Sequence, residues 1–285
     1  MTKIKRKNVL ITGGASGIGK IMGRICLEKG AKNLIIWDVN PTTLAAAKEE
    51  LSQHGMVTTY QVDVMNDDLV VATYKEVLQK FERVGVLINC AGIVRGNQTF
   101  NNNSIADVRL TFGVNTIAPM VLSLQALQPM LDVNEGHICN IASEAGMISN
   151  PKMSVYAASK WAVIGWSDSV RIELHQMKKD VHFTTIAPYY INTGMFNGVE
   201  SPIFPILDPE KTSRKIIRAI EKNQDFCGLP WGFHFVRFMQ GILPTCVFDW
   251  LFGTVFGIFR AMDHFTGRPM TPSNSPLKGD LGKAL

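Results

Sequence analysis

Apolar and β-forming residues are gathered along this chain into short runs, and between those runs they recur at helical spacing. The runs cover residues 8–12, 33–37, 57–62, 84–88, 136–142 and 181–187. Most are near-continuous rather than alternating, as strands buried on both faces of a parallel sheet require. Ile21, Met22, Ile25, Cys26 and Leu27 share a helical face, and further helices are predicted from Pro41, over 69–81, over 105–131 and over 154–177. Asp208-Pro209-Glu210 starts another with good capping chemistry, running to 222, and 225–229 supplies a seventh strand. No repeats, low-complexity tracts or linkers interrupt the alternation. The pattern predicts one doubly wound α/β domain.

Composition narrows the class. A length of 285 residues is ample for a sizeable core, and 46% hydrophobic against 19% charged residues describes a globular protein on the apolar side. Cys26, Cys90, Cys139, Cys227 and Cys246 are scattered without C-x-x-C spacing, and the histidines form no H-x-x-x-H pattern. A reducing, cytoplasmic setting without a metal site is expected. The net charge of +5 is mild. No interleaving of basic and aromatic residues follows the basic start, so nucleic acid is not an expected partner. M-T-K-I-K-R-K runs into the first strand with no apolar h-region, so no cleaved secretion signal is expected.

Candidate chemistry sits at the strand ends. Gly13-Gly14-Ala15-Ser16-Gly17-Ile18-Gly19 lies between the first strand and its helix. In that context glycines let the backbone approach a pyrophosphate at a helix N-terminus. Asp38 ends the second strand, ~20 residues on, where an acid accepts hydrogen bonds from a ribose 2′-OH and repels a 2′-phosphate. NAD is therefore favoured over NADP. The alternative is that Asp38 merely caps the helix beginning near Pro41. Asn89-Cys90-Ala91-Gly92 makes a small-residue turn after the fourth strand, and Asn115 falls mid-helix, where propensity disfavours it. Its plain reading is an exposed polar position. Tyr156 and Lys160 stand four apart on a predicted helix, and Ser143 follows the fifth strand. A lysine one turn away favours a phenolate, and a serine can share a hydrogen bond with the same substrate oxygen. Such a device moves a proton on or off an alcohol.

Taken in order, T-G-x-x-x-G-I-G at 12–19, Asp38, Asp63-Val64, N-C-A-G at 89–92, Asn115, Ser143 and Y-x-x-x-K resemble the short-chain dehydrogenase/reductase family. The resemblance implies a Rossmann-type seven-stranded sheet and roles for matching positions. Tyr156 would be the general acid/base, Ser143 would orient the substrate oxygen, and Lys160 would lower the tyrosine pKa and hold the nicotinamide ribose. Asn115 would anchor a proton-relaying water. Gly13, Ala15, Ser16, Gly17, Ile18 and Gly19 would form the cofactor loop. Asp63 and Val64 would meet the adenine, while Asn89, Ala91, Gly92 and Pro188 would line the cofactor. Ile191 and Thr193 would contact the carboxamide. One departure stands out: Pro188 is followed by Tyr189 and Tyr190 where the family usually has glycine, which leaves the local backbone path open. The segment resembles the branch of retinol and 17-beta-hydroxysteroid dehydrogenases.

Beyond Thr193 the alternation stops. Residues 190–207, with Pro202 and Pro205, suit a lid over the site, closing a catalytic domain over 1–228. Residues 229–285 form an apolar C-terminal extension ending in a Pro-, Ser-, Gly- and Lys-rich tail. From Phe226 to Phe259 the only charged residues are Arg237 and Asp249, and 246–259 is too short for a spanning helix. That stretch has three readings: a core or subunit-interface helix, a wall of an apolar substrate pocket, or a peripheral membrane contact aided by Arg260, Arg268 and the basic start. Each favours a lipophilic substrate: a retinoid, steroid or long-chain alcohol, oxidised or reduced with NAD. A homodimer or homotetramer is expected from the resemblance. An NADPH-dependent carbonyl or 3-oxoacyl reductase, or a non-catalytic membrane-associated cofactor-binding protein, are the alternatives.

Overall fold

Seven parallel strands carry the molecule, in the order β3-β2-β1-β4-β5-β6-β7. They are β1 (Asn8–Thr12), β2 (Asn33–Asp38), β3 (Val57–Gln61), β4 (Val86–Asn89), β5 (Gly136–Ile141), β6 (Val181–Pro188) and β7 (Phe226–Leu229). This computed structural model describes residues 1–201 and 204–267. Pro202, Arg268 and the predicted tail lie outside the described residues. The central strands are apolar on both faces because both faces are covered: all of β1 and β4 is buried. The chain order reverses between β1 and β4, and ligands of open α/β sheets bind where that reversal opens a crevice at the carboxyl ends.

The covering helices begin where their caps predict. Asn40 accepts from the amides of Thr42 and Thr43 to start α2 (Pro41–Leu51), and Asn66 caps α3 (Asp67–Phe81). Ser104 and Asp107 close a capping box on α4 (Ile105–Phe112), and Asp208 caps α7 (Pro209–Glu221). Asp38 is therefore not the cap of α2; its neighbour Asn40 does that work. Helix α1 (Gly17–Glu28) has no side-chain cap.

One predicted helix is built differently. Residues 105–132 are α4, a π-helical turn (Gly113–Ile117) and α5 (Ala118–Asp132), not one uninterrupted α-helix. The wider turn carries Asn115 into the core, where it is 1% exposed, so its plain reading as an exposed polar residue fails. Pro119, which lacks an N–H, closely follows the turn, where the regular helical hydrogen bonding is already interrupted. The 105–132 stretch has the length and apolarity of a membrane span, yet α5 packs on α3, β4 and β5 inside the fold.

After β6 the chain makes an isolated bridge, Ile191 to Leu207, before α7. The C-terminal extension then forms α8 (Gly232–Ile242), α9 (Thr245–Phe248) and a π-helical continuation (Asp249–Val255). Phe233, Val236, Phe248, Phe252, Ala261 and Met262 join Tyr156, Tyr189 and Tyr190 in one buried cluster at the carboxyl end of the sheet. Each such buried ring contributes roughly 1.5–3 kcal/mol. One face of 246–259, carrying Phe248 and Phe252, is thus core, in line with the first of its three readings.

Candidate active site

The cofactor crevice is built first by close backbone approaches. Gly13 has a φ of +65°, and a Cβ there would stand 2.9 Å from the Ala91 Cα; one on Gly19 would stand 2.3 Å from the Gly13 carbonyl oxygen. The Thr12 hydroxyl accepts from the amides of Cys90 and Ala91, both at 3.1 Å, and ties the 89–92 turn to the loop. Asp38 ends β2 beside them, its carboxylate accepting from the Ala15 amide at 3.2 Å and the Asn40 amide at 3.3 Å. Thr193 packs over the loop, its Cβ 3.8 Å from where a Cβ on Gly17 would be. Val62 donates to the Asp38 carbonyl, which sets Asp63 and Val64 along the same rim. A backbone cradle that side chains would fill, an uncapped helix start at Ser16 and Ile18, and a carboxylate at its edge fit a dinucleotide. Asn89 faces inward instead: its side chain donates to Asn140 at 2.8 Å and Ser123 at 3.1 Å. What that turn leaves facing the crevice is main chain with Ala91 and Gly92, so any cofactor contact of Asn89 would be through its backbone.

Helix α6 (Ser154–Gln176) presents Tyr156 and Lys160 on its buried face, 5% and 4% exposed. The Lys160 ammonium donates to the Ile141 carbonyl at 2.9 Å and lies 5.7 Å from the Tyr156 ring centroid. Asn115 braces the helix. Its Nδ2 donates to the Ile93 carbonyl at 3.0 Å and the Ser159 hydroxyl at 3.1 Å, and its Oδ1 accepts from the Ile93 amide at 2.9 Å. Ser143 follows β5, 4% exposed, close enough to Tyr156 for its hydroxyl to favour the phenolate. Ser143, Tyr156, Lys160 and Asn115 therefore converge from three separate segments: the chain just after β5, α6 and the π-turn.

Electrostatics add a residue that sequence reasoning missed. Glu144 is 4% exposed, and the Ser143 hydroxyl donates to its Oε2 at 2.8 Å. Burial pushes this carboxyl up to about 7, against the Ser143 hydrogen bond, backbone amides and the Lys160 charge. Lys160 is pushed down to about 8 by burial, opposed by Cys90 and Glu144. Tyr156 is pushed well above the ordinary phenol range, by burial and then by Glu144, with the nearby Ser143 hydroxyl acting the other way. The predicted lowering of the tyrosine by Lys160 is not found in this state, because the ammonium is turned to Ile141. The signal available in sequence was a charged residue set between Ser143 and Ala145-Gly146 beside an apolar strand.

The roof is aromatic. Tyr189 donates its amide to Leu229 at 2.7 Å, so the chain after Pro188 keeps an extended path despite lacking glycine. Tyr190 is 1% exposed and meets Phe196, whose ring stands edge-on to Tyr156 at 6.1 Å. The predicted lid is strapped to the extension: Glu200 donates to the Ala261 carbonyl and Thr266 to that of Asn197. Below it lies a cleft lined by Glu144, Ile148, Tyr189, Phe204, Phe233 and Ile258, with about 20 Å³ free, roughly one water. Among the described residues no His, Cys, Asp or Glu cluster could hold a metal.

A dinucleotide crevice abutting a buried serine–tyrosine–lysine set defines a nicotinamide-dependent oxidoreductase of the doubly wound class. The family model of short chain dehydrogenases matches residues 7–202, and the chain belongs to that family. It is 34% identical over 274 residues to epidermal retinol dehydrogenase 2 of Mus musculus, covering 92% of this chain and 88% of that protein. It is 29% identical over 238 residues to estradiol 17-beta-dehydrogenase 11 of Homo sapiens, covering 83% and 79%. Among solved structures, a short chain dehydrogenase/reductase from Burkholderia phymatum in complex with NAD superposes with a TM-score of 0.76 at 26% identity, over 85% of this chain and 95% of that one.

Proposed function

We propose that this enzyme uses NAD(H) to interconvert an alcohol and its ketone or aldehyde on a lipophilic molecule: a retinoid, a steroid or a long-chain alcohol. The observation that carries this reading is the meeting of Ser143, Tyr156 and Lys160 beneath an aromatic roof, beside a loop edged by Asp38. A bound oxidised nicotinamide supplies a hydride acceptor and a positive ring. Tyr156 takes or returns the hydroxyl proton, Ser143 holds the substrate oxygen, and Lys160 turns from Ile141 toward the phenol and the ribose. Asn115 keeps α6 in register with the Gly92 turn. Its Oδ1 and the Lys160 ammonium lie 3.5 and 3.7 Å from where a Cβ on Gly92 would be, close enough for a shared water. A bulky substrate enters only when the 190–207 segment parts from Phe233, since the closed cleft holds little more than a water.

Support for a lipophilic substrate comes from the apolar lining and from relatives named for retinol and estradiol. Exposed Ile117 at the end of the π-turn and Leu124 on α5, with Trp161 and Ile172 on α6, support a dimer or tetramer through these helices. Exposed rings on the extension support peripheral contact with a membrane. Tyr156→Phe is expected to abolish oxidation of graded-length alcohols while NADH binding, followed by fluorescence, survives. Normal turnover in that variant would overturn the reading.

A further inference from the structure

A serine hydroxyl has one proton to give and lone pairs to receive with. In this structure the Ser143 proton is committed: it goes to Glu144 Oε2 at 2.8 Å, while the Ser143 oxygen accepts from the Ala145 amide at 3.2 Å. What remains toward Tyr156 is acceptor capacity. An alcohol can donate to it. A carbonyl has no proton and needs donors, so Ser143 must first leave Glu144. While Glu144 is ionised that leaves a buried carboxylate short of a charge-assisted bond, in a cleft whose other lining is mostly apolar. Once protonated, the carboxyl can give its own hydrogen to Ser143 and release the serine proton to the substrate.

We propose that Glu144 is a positioning residue that fixes which way the Ser143 hydroxyl points, so that the ionised carboxylate favours a bound alcohol and the protonated acid a bound carbonyl. This rests on the reading of Ser143 and Tyr156 as the alcohol site. The groups facing Glu144 are few. Helix α6 contributes Tyr156 and Lys160, the chain after β6 contributes Tyr189 and Tyr190, and Cys90 acts on Lys160 from behind. The extension side offers Phe233, Val236, Ile258 and Ala261, which carry no charge. Burial brings Glu144 to about 7 and Lys160 to about 8 and holds the three tyrosines above their ordinary range, so the carboxyl and the ammonium are the groups that change form near neutrality, and only a step carried by the carboxyl is lost with Glu144→Gln or Ser143→Ala.

The test uses the Tyr156→Phe enzyme with NADH bound, in which the phenol no longer titrates and turnover is off. Dissociation constants of 2-decanol and 2-decanone are measured by calorimetry from about pH 5.5 to about pH 8.5, bracketing the shifted carboxyl. The ketone is expected to gain on the alcohol by on the order of tenfold as pH falls, the worth of one hydrogen bond to a charged group. Adding Glu144→Gln is expected to flatten the ratio. Adding Ser143→Ala, which keeps the carboxyl and removes the hydroxyl, is expected to flatten it too, and stands in if the glutamine variant fails to fold. A flat ratio in Tyr156→Phe alone, or a step that survives Ser143→Ala, would overturn the proposal. Turnover by the unsubstituted enzyme is scored separately. Turnover with a flat ratio removes only the role of Glu144, whereas no turnover of any alcohol removes the reading beneath it as well.

Discussion

At the scale of one side chain, Asp38 is the residue expected to decide the cofactor. Its carboxylate is held at the tip of β2 by the Ala15 and Asn40 amides, on the rim where the adenosine ribose would lie. A hydroxyl there gains charge-assisted hydrogen bonds, and a phosphate meets like charge. Asp38→Ala is expected to lower the NAD over NADP preference in kcat/KM by roughly tenfold or more, the loss of about 1.5–3 kcal/mol. Initial rates with each cofactor check this, and an unchanged ratio would remove Asp38 from ribose recognition. Residues of this kind were legible in sequence because their chemistry depends on type and local spacing: Tyr156 four before Lys160, an acid at a strand end. Glu144 was not legible. What makes it unusual is burial, and its cover comes from Tyr189, Phe233 and Ile258, brought in from distant parts of the chain.

At the scale of elements, the short turn after β5 fixes how near Ser143 stands to α6. Residues Glu144–Gly146 form a 3-10 turn against that helix, and a Cβ on Gly146 would lie 2.7 Å from the Lys160 carbonyl carbon and oxygen. Both are backbone atoms, so the helix or the turn must shift. Gly146→Ala is expected to cost about 1–3 kcal/mol of stability by overpacking, and to lower kcat far more than it weakens NADH binding. Thermal unfolding and a fluorescence titration separate the two effects; full kcat with normal stability would show that the approach is not needed. The strands were readable because continuous apolar runs between turn residues admit few other fates. The π-turn at Gly113–Ile117 was not, since residues 105–132 are apolar nearly all round and leave no narrow stripe whose shift would mark an extra residue. The consequence for Asn115 appears only when Ser159 and Ile93 are found beside it.

For the whole molecule the C-terminal extension joins two environments. One face of α8 turns Phe233 and Val236 into the cleft beside Glu144, while Phe235, Phe238 and Ile242 project outward with Trp231, which is 78% exposed. The next helical stretch repeats the division, with Phe248 and Phe252 inside and Trp250 and Phe256 outside. Arg237, whose guanidinium lies over the Phe226 ring, and Arg260 neighbour the outer rings along the chain, a composition suited to the headgroup level of a bilayer carrying anionic lipid. A lipophilic substrate dissolved in that bilayer would then reach the cleft past the same helix without crossing water. Replacing Trp231, Phe238 and Trp250 together by serine is expected to cut co-sedimentation with phosphatidylcholine/phosphatidylserine vesicles at least tenfold, since each ring forfeits roughly 1.5–3 kcal/mol of apolar transfer. Turnover of a short, water-soluble alcohol should be unaffected, because none of the three side chains lines the cleft. If the unsubstituted enzyme stays in the supernatant, and the serine variant instead halves in mass by light scattering, the outer face joins two copies of the chain and the membrane assignment falls.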